Sequence, residues 1–173
     1  MDDPARSGSL TGDDDDRPPS ERVLDVSDPG GLLGPAEARW LCEQGRRALD
    51  LLGVPGEVRA KLVDDAEMAR AHEAYAGVPG TTDVLTFDLS GDPGVLDADV
   101  MLCVDEAARR ASERGHDTAR ELLLYLVHGV LHCLGYDDHD EDAYERMHAA
   151  EDELLTRLGV GATFRREPAG GGS

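Results

Sequence analysis

Aromatic side chains are scarce in this sequence, at 4% of 173 residues, so any core must be assembled from Leu, Val and Ala instead of large rings. Long apolar runs are also missing. No segment approaches the roughly 20 uninterrupted apolar residues that a membrane helix requires. The chain opens on Asp2 and Asp3, unlike the basic segment and apolar stretch of an export signal. A cytoplasmic protein with no membrane partner is expected. Cysteine is limited to Cys42, Cys103 and Cys133, an odd, widely spaced set that argues against a secreted disulfide framework and suits reduced thiols among apolar neighbours. Basic residues are the fourth shortage: 17 Lys and Arg stand against 37 Asp and Glu, a formal net charge of −20. Loose adhesion to phosphate backbones is opposed, because it depends on cationic side chains that release counterions. No DNA partner is expected.

What is present fits a globular chain, with 40% hydrophobic and 31% charged residues, long enough for one buried core. Residues 1–20, which include the run Asp13 to Asp16 followed by Pro18 and Pro19, have too few apolar groups to offset the entropy of ordering and read as a disordered acidic tail. Residues 167–173 read as a disordered Gly-rich tail. The expectation is one domain over 21–166, without internal repeats.

Periodicity places short strands at 23–26 and 57–63, and a helix at 35–52 with Pro35 in its first turn and Gly53 as its stop. A helix at 64–75 follows. Strands at 83–89 and 99–104 are joined through a turn-forming cluster at 91–94, which favours an antiparallel pair. A helix at 105–114 ends at Gly115, and Thr118 with Glu121 reads as a capping box that opens the next helix. Because 122–134 is apolar on nearly every side, that helix should be buried at the centre. An amphipathic helix at 140–158 closes the series.

The central helix carries the chemistry. His128 and His132 are four residues apart, so both imidazoles lie on one helical face within reach of a single metal ion. Gly135 can take the left-handed conformation that ends a helix, which lets the chain return so that Asp138 or His139 supplies a third ligand. Three protein ligands leave a fourth position for water, as in hydrolytic zinc sites, and that metal-bound water is the expected nucleophile. Asp137, Asp138 and Asp140 are candidates to orient the ligating rings. Position 129 is Gly where the zinc-protease motif HExxH needs its Glu, which disfavours ordinary metalloproteolysis. His72, His116 and His148 are expected on the surface.

The segment HGVLHCLGYDDH resembles the HGxLHLxGYDH signature of the YbeY family of single-strand endoribonucleases. Tyr75-Ala76-Gly77 with the following 82–87, TDVLTF, is similar to the family's YRG and PTDVLSF segments, and 98–100 is similar to its GDI strand. This resemblance implies an α+β fold, with a small mixed sheet of about four strands packed on about five helices and the histidines on a central buried helix. It also implies one zinc ion per chain held by three histidines in a cleft that receives RNA, ribosomal RNA maturation including the 3′ end of 16S rRNA, and partners on the small ribosomal subunit. His128 and His132 carry over directly. Where the family has its last histidine this chain has Asp138, with His139 one residue later, and His139 is the expected third ligand with Asp138 as the alternative. The family's Arg and Lys after the tyrosine correspond here to Ala76 and Val78. Substitute positive charge is expected from Arg59 and Lys61 as substrate contacts, or from Arg109, Arg110 and Arg114 on one helix. Two other readings compete: an assembly factor that keeps the metal and binds RNA without cutting it, and a zinc hydrolase of another substrate.

Overall fold

The computed structural model describes residues 21–92 and 94–161, so the tails expected at 1–20 and 167–173 lie outside the described residues. In chain order the elements are β1 (Arg22–Ser27), α1 (Pro35–Leu52), β2 (Gly56–Val63), α2 (Asp65–Ala76), β3 (Val84–Asp88), β4 (Leu96–Cys103), α3 (Val104–Arg114), α4 (Thr118–Cys133) and α5 (Glu141–Arg157). The sheet order is β1-β2-β4-β3. β1 and β4 both run parallel to β2, while β3 is antiparallel to β4, as the short turn between them dictates. The result is the α+β fold with a mixed four-stranded sheet that the sequence implies.

Strand alternation decides which face of the sheet is covered. Val58, Ala60 and Leu62 of β2 and Leu96, Ala98, Val100 and Leu102 of β4 are each at most 3% exposed and join one core with Leu41 and Leu49 of α1 and the apolar residues of α4. The intervening residues, Arg59 and Lys61 on β2 and Asp97 and Asp99 on β4, therefore take the opposite face, where Arg59 bonds both aspartates. Those two acids also explain why β4 begins at Leu96, three residues before the start expected: charge in its first half disguises the strand.

α4 is the hub. It buries 11 of its 16 residues and packs against α1, α3, α5, β3 and β4, in keeping with an apolar surface on nearly every side. Its N-cap is Asp117, whose side chain accepts from the Arg120 amide. Glu121 is thus released from the capping role expected of it and is fully buried instead.

Gly129 sets how close α4 comes to the sheet. A Cβ there would stand 2.6 Å from Thr86 Oγ1 and 3.5 Å from Val84 Cγ2, so a protease-type glutamate after the first histidine has no room. Gly129→Ala is expected to lower the unfolding free energy by about 1–3 kcal/mol through overpacking, read by denaturant titration; an unchanged midpoint would show that β3 yields at no cost.

α2 is tied to α3 by a bidentate pair, Arg109 Nη1 and Nη2 to Asp65 Oδ2 and Oδ1 at 2.7 and 2.8 Å. Hydrogen bonding from Arg109 holds the Asp65 carboxyl down at about 2. A carboxylate with a depressed pKa adds stability that is present above its unfolded value and lost as pH falls through its folded value. The stability difference between wild type and Asp65→Asn should therefore close as pH falls from about 4 to about 2. A difference that stays constant over that range would show that the tie adds nothing.

Candidate metal centre

At the C-terminal end of α4 the two histidines meet edge to face, with ring centroids 4.6 Å apart and Nε2 atoms 3.1 Å apart. Each ring is held from behind. The His128 Nδ1 donates to Oε1 of Glu151 on α5, a carboxylate with no solvent exposure. The other oxygen of Glu151 accepts from His148 Nδ1 at 2.9 Å. His132 Nδ1 donates to the Tyr136 carbonyl at 3.1 Å, which Gly135 makes possible by reversing the chain at φ +97°.

This arrangement fixes the chemistry of the pair. Carbonyl and carboxylate oxygens only accept, so both Nδ1 atoms carry hydrogen and both Nε2 atoms turn lone pairs toward each other. Such atoms sit 3.1 Å apart only with a proton on one of them or a cation shared by both. Two nitrogens each about 2.0–2.1 Å from a tetrahedral ion lie roughly 3.3–3.4 Å apart, close to the observed spacing, which suits a shared ion. Burial opposes protonation of His128 but is outweighed by the hydrogen bond and charge of Glu151 and by Asp83 and Asp138, so its pKa is raised. The same carboxylates favour any cation at this point.

The third group beside the pair is Asp138. Its Oδ2 is 3.9 Å from His132 Nε2, and one potential ligand atom from each of His128, His132 and Asp138 falls within a 4.8 Å span. Two imidazole nitrogens and a carboxylate suit zinc in a site with an open position. His139, the expected third ligand, is not brought to the pair: its side chain is 88% exposed and stands against Asp137. In the loop that follows Gly135, Asp138 turns toward the pair and its neighbour His139 turns to solvent.

The expected RNA contacts divide similarly. Arg59 and Lys61 lie on the sheet face away from α4 and are already engaged, Arg59 by Asp97, Asp99 and Glu57 and Lys61 by Glu67. They are not brought to the histidines. Arg110 and Arg114 are: they line a cleft of about 380 Å³ with His128, Asp138, Tyr125 and His148. A second cleft of about 350 Å³ runs along β3 past His128, His132 and Thr86, and His128 and Asp83 border both.

Four residues escape a reading of the sequence alone. Glu121 and Glu151 are the buried acids of the described core, and His116 and His148, expected on the surface, are their partners. The available signal was a glutamate at an apolar position: Glu151 follows the buried Met147 by four residues and precedes the buried Leu154 and Leu155 on α5.

The family model described as Endoribonuclease YbeY matches residues 39–159, which contain every group just named. The chain belongs to the endoribonuclease YbeY family. Proteins named endoribonuclease YbeY are similar to it at 41% identity in Acidothermus cellulolyticus, covering 67% of this chain and 80% of that protein, and at 36% in Thermobifida fusca, covering 76% and 91%. The solution structure of TM1509 from Thermotoga maritima shares the fold, with a TM-score of 0.52 and 24% identity over 80% of this chain and 91% of that one. Membership in the YbeY family gives the chain an endoribonuclease role, a hydrolase acting on RNA. No helix among the described residues is long and apolar enough to cross a membrane.

Proposed function

We propose that this chain is a zinc-dependent endoribonuclease that cuts single-stranded RNA in ribosomal RNA maturation, with the 3′ end of 16S rRNA as its target. Its place is the cytoplasm and its partners are components of the small ribosomal subunit. The observation that carries the reading is the convergence of His128, His132 and Asp138 where two clefts meet.

His128, His132 and Asp138 would hold the metal. Zinc in such a site supplies Lewis acidity toward a phosphoryl oxygen and brings the pKa of water to about 7. Glu151 and the Tyr136 carbonyl keep both Nε2 lone pairs directed at one point, and Asp138 adds the negative charge that favours a divalent cation over a proton. The two clefts give an extended strand a path past that point, with the scissile phosphate beside the histidines.

One observation favours a second reading, an assembly factor that binds without cutting: the basic groups Arg59 and Lys61 are engaged by acids in a chain of net charge −20. Incubation of the zinc-loaded protein with a single-stranded 16S 3′ precursor separates the two. Cleavage products are expected from wild type and none from His132→Ala. Intact RNA after prolonged incubation with stoichiometrically loaded wild type would overturn the catalytic reading in favour of the binding one.

A further inference from the structure

The chain has only one Trp, four Tyr and two Phe, and a ring left in water forgoes burial that an aromatic-poor core could use. Three of the tyrosines are nevertheless exposed: Tyr75, Tyr136 and Tyr144. Tyr75 lines a groove with Arg59 and Phe87 on the sheet face away from α4, and Tyr136 borders a hollow beside Gly135 and Arg146. Neither borders the two clefts that pass His128. Tyr144 does: it lines the cleft that contains His128 and Asp138.

On α5, Tyr144, His148 and Glu151 follow at intervals of four and three residues, so they share one stripe of the helix. Exposure falls along it, from 49% at Tyr144 to 15% for the His148 side chain and none at Glu151. The stripe runs from the mouth of the cleft to the carboxylate behind His128. Each member holds the next. Glu151 accepts from His148 Nδ1 at 2.9 Å, and the His148 ring meets that of Tyr144 edge to face, with centroids 4.0 Å apart and planes at 76°. A contact of that kind leaves at least one face of the tyrosine ring for a parallel partner, and the ring stays half-exposed in the cleft.

The cleft does not offer a strand surplus positive charge. Asp83, Glu121 and Asp138 line it, and its two arginines are paired with carboxylates, Arg110 with Glu106 and Glu113 and Arg114 with Glu121. Affinity for a polyanion there calls for contacts that need no counter-charge. Base stacking is such a contact, and every base has a π-face to offer.

We propose that Tyr144 is the stacking platform for a nucleobase that flanks the scissile phosphate. This rests on the endoribonuclease reading and deepens it: bases turn into the cleft, and the phosphates away from the metal centre turn to solvent. Through His148 and Glu151 the ring is tied to His128, so the stacked base is held in a fixed relation to the histidine pair. Because a stack reads the face of a base and not its hydrogen-bonding edge, this contact accepts any of the four.

The test is anisotropy binding of a fluorescent 2′-O-methyl single-stranded oligonucleotide, which resists cleavage, to the zinc-loaded full chain. An abasic spacer is moved through the oligonucleotide one position at a time. Tyr144→Ala is expected to bind the intact oligonucleotide about tenfold more weakly, with an unchanged slope of log affinity on log salt, because no ionic contact is lost. Tyr144→Phe and Tyr144→Trp keep a ring and should stay within about threefold of wild type. One spacer position should cost wild type about tenfold and Tyr144→Ala nothing further, since base and ring are two halves of one contact. Melting curves establish that the variants fold. Wild-type affinity in Tyr144→Ala overturns the platform alone, and so do spacer losses that add in full to that of Tyr144→Ala at every position. A loss in Tyr144→Phe equal to that in Tyr144→Ala, or a shallower salt slope, assigns the contact to the hydroxyl or to a phosphate and overturns stacking. A wild type that binds no RNA at all overturns the endoribonuclease reading and the platform with it.

Discussion

Purified wild-type protein is expected to carry close to one zinc per chain by elemental mass spectrometry, and His139→Ala to keep it, while His128→Ala, His132→Ala and Asp138→Ala lose it. The argument lies in the three atoms that converge: two Nε2 lone pairs 3.1 Å apart and a carboxylate oxygen 3.9 Å from one of them. Loss of one ligand from a three-ligand site leaves two, and zinc affinity should fall by more than the roughly 10–100-fold typical of outer-shell substitutions. RNA cleavage should fall with it. His139→Ala changes a side chain that is 88% exposed and should leave metal content and activity unchanged. If zinc is instead lost in His139→Ala and kept in Asp138→Ala, the segment after Gly135 rearranges when metal binds and the third ligand is His139. Absence of zinc from a folded wild type would return both histidines to the core and overturn the zinc-dependent reading.

The choice between Asp138 and His139 marks where the sequence stops being informative. Helical spacing alone places His128 and His132 on one face, because four residues complete slightly more than one turn. No comparable period governs the loop after Gly135. There, which of two adjacent side chains turns inward depends on the Tyr136 carbonyl bond to His132 and on where Asp140 caps α5. The fold was legible for the same reason that the histidine pair was: strands and helices carry periods, and Gly53 and Gly115 stop α1 and α3 as expected. Arg59 and Lys61 show the opposite limit. Their alternation with Val58, Ala60 and Leu62 identifies a two-faced strand, but only the packing of α1 and α4 decides that the basic residues lie on the face away from the histidines. Glu121 misled because its spacing from Thr118 matches a capping box, while Asp117 one residue earlier makes the cap.

Glu151 is the residue where structure adds most to the sequence, and its replacement carries the second large expected effect. It is fully buried, and its two oxygens accept from His128 and His148. Gln in its place keeps the shape but offers one acceptor oxygen, so one of the two imidazoles must face an amide N–H. Zinc affinity, measured by competition with a chromophoric chelator, is expected to fall about 10–100-fold in Glu151→Gln, as for other outer-shell partners of ligating histidines. Glu151→Ala should show the same loss and also a fall in unfolding free energy of about 1–3 kcal/mol, because it removes the acceptor shared by two partly buried imidazoles. Nitrogen-15 spectra of the histidine rings separate positioning from simple packing. In wild type the His128 hydrogen belongs on Nδ1, and in Glu151→Gln the fixed tautomer should give way to a mixture. Retention of both wild-type zinc affinity and the Nδ1–H tautomer in Glu151→Gln would show that the carboxylate holds α5 against α4 and does nothing for the metal centre.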